Sequence, residues 1–169
     1  YPEPAKALPR VARAHNVDLE RVAALKPDLI VIWGSGFPPA TLAALRRLGV
    51  PMVVDEPSTL DAIAASMLRL GTLAAADGAT EAAAKFRAAI GRLRARYAGR
   101  AEVTVFYQIW SQPLMTLGGR HVLSEALRVC GGRNVFESLA PIAPQVSVEA
   151  VLAADPQMIV TAEPGAADR

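Results

Sequence analysis

The strongest constraint on the fold is one pattern that occurs twice, near the two ends of the chain. Residues 17–31 and residues 146–160 each read as a short helix, an X-Pro step and an apolar run of strand length. Asp18 and Ser147 are the predicted N-caps, and a proline ends each helix. The copies lie too far apart for a solenoid repeat. They predict two similar α/β lobes.

The segment between the two copies is mainly helical and sets the domain organisation. One long helix is predicted after Ser58 and another over 81–97, and together they are long enough to bridge two lobes. We therefore expect an α/β fold of two Rossmann-like lobes joined by a long helix. The expected parts are a partial N-terminal lobe (1–57), lobe-closing and bridging helices (58–99) and a partial C-terminal lobe (100–169). Both lobes are expected to be truncated, because the chain opens without Met and ends just after a strand-like run.

Composition argues against two classes of function. The 169 residues carry a formal net charge of +2, which is too small an excess to indicate a nucleic-acid partner. No apolar run approaches the roughly 20 residues that a membrane-spanning helix needs. The apolar runs at 29–32, 50–54 and 158–161 have strand length and predict buried strands, as in a parallel sheet that is covered on both faces.

No arrangement typical of catalysis or metal binding occurs in the sequence. A Gly-x-Ser-x-Gly nucleophile motif is absent. The two histidines, His15 and His121, each lie beside a predicted helix start, where a surface or capping role is expected. Asp55 and Glu56 are adjacent, so their side chains point to opposite faces of an extended segment. We predict no catalytic residue, no metal site and no enzyme cofactor.

One alternative is a nucleotide-dependent α/β enzyme. Gly34 and Gly36 follow a predicted strand and Asp55 ends the next one, which is the outline of a dinucleotide-binding fingerprint. However, Pro38 and Pro39 stand where helix N–H groups would face a pyrophosphate, and proline has no N–H to donate. The sequence therefore disfavours this alternative without removing it.

Aromatic residues make up only 5% of the chain, so their positions are informative. Trp33 follows a predicted strand directly, beside Gly34 and ahead of Phe37. Side chains just past the carboxyl ends of parallel strands face the ligand crevice of open α/β sheets. Trp110 and Met115 occupy the equivalent zone of the second half. We predict that these five residues contact a ligand.

Residues 16–33, with the sequence NVDLERVAALKPDLIVIW, resemble the signature of the helical-backbone class of periplasmic binding proteins. Further similarity covers 129–136 and 144–149, so that the resemblance extends over nearly the whole chain. Proteins of this class bind cobalamin, haem and ferric siderophores. The spacing from Tyr1 to Trp33 and the Cys-Gly-Gly-x-Asn run are similar to the cobalamin-binding branch.

The resemblance implies roles for particular residues. Tyr1 and Trp33 match aromatic residues that line the cobalamin cleft, and Met115 falls where the class has a cleft phenylalanine. Glu149 matches a glutamate that docks onto arginines of the membrane permease. Cys130, the single cysteine, matches one that in the class pairs with a cysteine nearer the C-terminus.

The sequence also departs from the class at two positions. The docking glutamate of the first lobe falls at about Pro39, and the cleft tryptophan of the second lobe falls on Ala143. Trp110 is our hypothesis for the aromatic wall that Ala143 does not provide.

The resemblance implies a carrier and not an enzyme. We expect an exported, periplasmic protein whose signal peptide is not part of this sequence. It would capture cobalamin or a related corrinoid between its lobes and deliver it to an ABC permease at the inner membrane. Two alternatives stay open within the class: haem, with Tyr1 and Tyr107 as candidate axial ligands, and a ferric siderophore. The siderophore requires a convergent arginine cluster that the sequence does not locate.

Overall fold

The computed structural model describes residues 3–13 and 16–161. The chain divides into two compact units, Tyr1–Glu56 and Pro57–Arg169. Each unit contains helices that alternate with parallel strands, so the predicted α/β class is confirmed. Tyr1, a predicted ligand contact, and His15 lie outside the described residues.

The first unit is built around one parallel strand pair. Its elements are β1 (Ala12–Arg13), β2 (Asn16–Val17), α1 (Leu19–Ala24), β3 (Ile30–Ile32), α2 (Pro39–Arg46) and β4 (Met52–Val54). β1 and β2 form an antiparallel pair, whereas β3 and β4 are parallel. Val22 of α1, Ile32 of β3 and Leu45 of α2 form the buried core. Because β3 and β4 are parallel, the residues that follow both strands lie at the same edge of the sheet.

The second unit combines a parallel sheet with two long helices. Its elements are α3 (Leu60–Leu73), α4 (Ala79–Tyr97), β5 (Val103–Gln108), β6 (Trp110–Ser111), β7 (Leu114–Met115), α5 (Val122–Val129), β8 (Gly132–Asn134), α6 (Val148–Ala154) and β9 (Met158–Thr161). The sheet order is β8–β5–β9, and both pairings are parallel. α3 packs on α4, and both contact α5, so the two long helices belong to this unit. Of the described helices, none combines the length and the apolar composition that a bilayer crossing demands.

The repeated pattern seen in the sequence is a repeated structure. α1 leads into β3 and α6 leads into β9, and the predicted caps Asp18 and Ser147 each accept a backbone N–H three residues on, at 2.9 and 3.2 Å. Both helices are followed by a residue with positive φ, Lys26 at 47° and Asp155 at 42°. A left-handed residue commonly ends a helix, and the proline that comes next disfavours further helix.

The boundaries of the two long helices differ from the prediction. Thr59, and not Ser58, is the N-cap of α3, because its hydroxyl oxygen accepts the backbone N–H three residues later at 3.0 Å. α3 ends at Leu73 and α4 begins at Ala79, both earlier than predicted. Ala75 has a φ of 47°, which ends the first helix before the expected position.

The prediction that the apolar strands are buried on both faces is wrong. Val31 in β3 is 48% exposed and Ile159 in β9 is 63% exposed. In the described part of the chain, β3 has one hydrogen-bonded neighbour, β4, and β9 has one neighbour, β5. Burial on both faces requires flanking layers, and the apolar pattern of a strand does not report whether those layers are present.

Candidate functional site

The first unit places Trp33 at the carboxyl edge of its sheet, as the sequence predicts. Trp33 follows Ile32, the buried last residue of β3, and its own side chain is 63% exposed. A 3₁₀ turn over Gly34–Gly36 comes next, and the Gly36 N–H donates to the Trp33 carbonyl at 3.2 Å. The turn fixes the backbone of Trp33 while leaving its indole ring open to a ligand. An exposed tryptophan beside rigid backbone is suited to stacking on a flat apolar surface.

Gly34 has a packing role that explains why this position carries no side chain. A Cβ at Gly34 would lie 2.8 Å from Val54 Cγ1 and 3.0 Å from Glu56 Oε2. Glycine therefore lets the turn after β3 approach the end of β4 closely. Ligand contact by Gly34 stays a prediction.

Glu56 is a polar group at this edge that sequence reasoning did not single out as a site residue. Its side chain is exposed, and Oε2 accepts the Ser35 N–H at 3.2 Å. The bond joins residues 21 positions apart, so spacing alone does not reveal it. The position of Glu56 could have indicated it, because Glu56 comes shortly after the second parallel strand as Trp33 comes after the first. Glu56 places a carboxylate beside the Trp33 turn.

The same bond weakens the nucleotide-enzyme alternative. A pyrophosphate in this turn would need the Ser35 N–H, which already donates to a carboxylate. α2 begins at Pro39 with Pro38 as its N-cap, and this start has no side-chain cap bond. The beginning of α2 thus lacks two N–H groups, as the sequence suggested.

Phe37 contributes more to the core than to the open surface. It is half-buried and packs against the buried core of the first unit. Together with Trp33 it borders an apolar cavity of about 160 Å³, which Val11 and Ala12 also line. Phe37 can support a ligand wall at this cavity, and direct contact with a ligand stays a prediction.

In the second unit Trp110 and Met115 form a cross-strand pair. They face each other in the antiparallel β6–β7 hairpin, with Ser111 opposite Leu114. Directly opposed residues in a hairpin share one face of the pair. Trp110 is 56% exposed and Met115 is half-buried. The sequence predicted both residues as ligand contacts, and the structure brings them together on one face.

The indole of Trp110 is held by its own hairpin. Its Nε1–H donates to the Gln112 carbonyl at 2.8 Å, across the tip that contains the cis peptide bond before Pro113. The indole N–H is therefore occupied, and the ring offers its faces and edges to a ligand.

Several backbone bonds anchor the hairpin to the rest of the second unit. The Ile109 N–H donates to the Met115 carbonyl, and the Val146 N–H donates to the Leu114 carbonyl. The hydroxyl of Thr116, which is fully buried, donates to the Tyr107 carbonyl at 2.8 Å. The Trp110–Met115 face is thus attached to β5 and to the segment before α6.

A buried polar network follows the hairpin in sequence. Asn134 Nδ2 donates to the Leu117 carbonyl at 2.7 Å and to Ser124 Oγ at 3.0 Å. The Ser124 hydroxyl donates to the Gly118 carbonyl at 2.9 Å, and Asn134 Oδ1 accepts the Phe136 N–H. Buried polar groups with all partners present fix a local geometry. This network positions the chain immediately after β7.

Glu149 lies on an accessible helix start. It is exposed in the first turn of α6, next to the N-cap Ser147. Hydrogen bonds from its own backbone N–H and from the Ser147 hydroxyl lower the pKa of Glu149. The negative charge is also favourable at a helix N-terminus. Glu149 therefore presents a stable anionic group to solvent, and docking onto a permease stays a prediction.

Three other residues considered in the sequence have defined environments. His121 is the N-cap of α5, with Nδ1 accepting the Leu123 N–H at 3.1 Å, which agrees with the expected capping role. Cys130 is exposed, and its pairing with another cysteine stays a prediction. Tyr107 is half-buried in β5.

Within residues 3–13 and 16–161, no three His, Cys, Asp or Glu side chains lie close enough together to hold a metal ion.

Comparison with known proteins identifies the family to which this α/β chain belongs. The sequence model of the periplasmic binding protein family matches residues 1–168. The chain belongs to this family.

The similar proteins include vitamin B12-binding proteins. The Vitamin B12-binding protein of Vibrio cholerae serotype O1 (strain ATCC 39541) is 40% identical over 164 residues, 96% of this chain and 59% of its own length. The crystal structure of the periplasmic vitamin B12 binding protein BtuF of Vibrio cholerae matches with a TM-score of 0.88 and 39% identity, over 99% of this chain and 66% of that one. The predicted resemblance to the cobalamin-binding branch is confirmed.

A haem-binding protein is also similar in structure. A periplasmic heme binding protein from Pseudomonas aeruginosa matches with a TM-score of 0.79 and 25% identity, over 95% of this chain and 60% of that one. The chain spans about three fifths of the length of the curated relatives that it matches.

Proposed function

We propose that this chain belongs to an extracytoplasmic substrate-binding component of an ABC importer, and that it captures cobalamin or a related corrinoid. The observation that carries the proposal is the 40% identity to vitamin B12-binding proteins over nearly the whole chain. Trp33, exposed at the carboxyl edge of the first sheet, supports it from the structure. The protein works outside the cytoplasm, in keeping with its family.

Capture is non-catalytic in this proposal. The corrin is flat and largely apolar at its faces, and Trp33, Trp110 and Met115 offer rings and a thioether to such a surface. Cobalt arrives within the corrin, so no protein ligand to the metal is needed. Cobalamin is cargo and not a cofactor.

Delivery requires a membrane permease, and Glu149 is the proposed docking residue. Its carboxylate is exposed and its lowered pKa keeps it ionised. Arginine side chains on a permease would pair with it in charge-assisted bonds. Pro39 occupies the position where the first lobe of the class has its docking glutamate, so Glu149 is the one docking carboxylate carried over from the class.

Haem is the second candidate, because a haem-binding protein shares the fold at 25% identity. Haem iron requires an axial ligand such as a tyrosine. Tyr107 is half-buried in β5, and the carbonyl of the same residue anchors Thr116. If haem binds with Tyr107 as its axial ligand, the haem complex of the Tyr107→Phe variant should lack the absorption band of tyrosine-bound haem iron.

Isothermal titration calorimetry with cyanocobalamin, hemin and NAD tests the proposed function. We expect a one-to-one isotherm with cyanocobalamin and no comparable heat with NAD. Trp110→Ala is expected to weaken cyanocobalamin binding, while Leu73→Ala, an exposed apolar residue on α3, leaves it unchanged. An isotherm with hemin or NAD and silence with cyanocobalamin would reject the corrinoid proposal.

A further inference from the structure

Three arginines line one cavity of the first unit. Arg10, Arg13 and Arg21 line a cavity of about 370 Å³, together with Asn16 and Asp18. These arginines come from the segment before β1, from β1 itself and from α1. The sequence separates them by up to eleven positions, so the cluster becomes visible only in the folded unit.

The described residues neutralise only part of the positive charge of this cavity. Arg94, Arg128 and Arg133 of the second unit each form a salt bridge with a glutamate. In the described part of the chain, Arg10, Arg13 and Arg21 have no such carboxylate partner. Asp18 also lines the cavity, but its Oδ1 accepts the backbone N–H of Arg21 as a helix cap, at 2.9 Å. Three arginines and one aspartate leave an excess of positive charge at the cavity, and such an excess favours the binding of an anion.

The arginine cavity adjoins the apolar cavity beside Trp33. Val11 and Ala12 line both of them, so the two share a wall. A ligand with its apolar body against Trp33 and Phe37 can therefore place an anionic arm among the arginines. Cobalamin has this composition, because its corrin ring carries a nucleotide loop with a phosphodiester.

We propose that Arg10, Arg13 and Arg21 form a subsite for the phosphate group of the ligand that binds beside Trp33. This subsite rests on the proposed function, because it assigns one part of the corrinoid. Guanidinium groups hold phosphate oxygens through paired N–H donors and keep their charge at all relevant pH values. The subsite makes binding depend on the nucleotide loop and not on the corrin alone.

Two corrinoids that differ in the nucleotide loop test the subsite. Cyanocobalamin carries the phosphodiester, and dicyanocobinamide lacks it. We expect the variant with Arg10→Gln, Arg13→Gln and Arg21→Gln to bind cyanocobalamin about tenfold more weakly, and dicyanocobinamide as the native chain does. The control carries Arg87→Gln, Arg92→Gln and Arg96→Gln on α4, which removes the same charge, and it should bind both corrinoids like the native chain.

Competition with inorganic phosphate tests whether the cavity binds the phosphate group of the ligand or only the free ion. At constant ionic strength, phosphate should compete with cyanocobalamin and leave the binding of dicyanocobinamide unchanged. If phosphate binds the native chain while the triple variant keeps full affinity for cyanocobalamin, the cavity serves the free ion and the proposed subsite is wrong. Equal losses for both corrinoids in the triple variant would also overturn it.

Failure of the subsite and failure of the proposed function give different results. If the native chain binds both corrinoids and the triple variant binds each of them with the affinity of the native chain, the subsite alone is rejected. If the native chain binds neither corrinoid, the proposed function is contradicted and the subsite with it. Circular dichroism of the triple variant and its control establishes that both are folded.

Discussion

The two tryptophans differ in what they offer to a ligand. The indole N–H of Trp110 is bound to the Gln112 carbonyl, so this side chain is oriented before any ligand arrives. Among the described residues, no acceptor bonds to the indole N–H of Trp33, which leaves that ring free to donate as well as to stack. Trp33 is thus suited to recognising a polar rim and an apolar face together.

At the scale of single residues, the sequence predicted the Trp33 position and missed Glu56. An aromatic residue directly after an apolar strand is a local signal, and it correctly placed Trp33 at the sheet edge. The contact of Glu56 with Ser35 depends on the pairing of β3 with β4, which brings distant residues together. The sequence analysis inferred that the side chains of Asp55 and Glu56 point to opposite faces. It did not predict that Glu56 would contact the turn after Trp33.

His121 gives α5 a stability that depends on pH. Partial burial lowers the pKa of His121, and its neutral Nδ1 accepts the Leu123 N–H. A lowered folded pKa means that the unfolded chain takes up the proton first, so stability falls as pH drops below about 6.5. We expect His121→Asn, which keeps a capping side chain without this titration, to lose less stability between pH 7 and about 5.

Urea unfolding of both proteins over this range measures the difference. Parallel loss of unfolding free energy in the native chain and in His121→Asn would show that His121 does not contribute.

At the scale of elements, short local signals predicted the repeated helix–strand unit well. Capping side chains and the X-Pro step determined α1–β3 and α6–β9, because both act within a few residues. The β6–β7 hairpin was not predicted as a hairpin, although Trp110 and Met115 were chosen as site residues. Its strands are two residues long, and two of the backbone bonds that anchor it come from 144–146, beyond the reach of local patterns.

The Asn134 network is expected to carry much of the local stability after the hairpin. Asn134→Ala removes donors to the Leu117 carbonyl and to Ser124 Oγ, and leaves buried polar atoms without partners. We expect a loss of about 2–3 kcal/mol in the free energy of unfolding. Urea unfolding measures it, with the exposed Ser138→Ala as a control expected to stay within about 0.5 kcal/mol. Equal stability of the two variants would contradict a structural role for this network.

At the scale of the whole molecule, the repeated pattern predicted the α/β fold and the family resemblance predicted a binding protein, but neither predicted the exposure of the strands. The apolar strands looked buried from sequence, and yet Val31 and Ile159 are open. Burial depends on which layers cover a sheet, and the pattern within a strand carries no information about them. The arginine cavity was missed for a related reason, since its charges converge only after β1, β2 and α1 have packed.

Ligand binding and delivery should be separable in this protein. Glu149→Gln is expected to lower the stimulation of permease ATP hydrolysis severalfold while leaving cyanocobalamin affinity unchanged, because the contact that we propose for Glu149 is with the permease. The measurement is ATP hydrolysis by the cognate permease in proteoliposomes. Glu81→Gln is a matched control, since Glu81 is also exposed in the first turn of a helix. If both variants stimulate the permease equally, Glu149 is not the docking residue.

The most direct test of the central claim is the cyanocobalamin affinity of Trp33→Ala, measured by isothermal titration calorimetry against the native chain. Trp33 is largely exposed in the first unit, so its loss should leave the fold intact. We expect binding to weaken by about ten- to a hundredfold, because the apolar contact of a tryptophan ring is lost. Native-like affinity in Trp33→Ala would contradict the claim that corrinoid is held against the carboxyl edge of the first sheet.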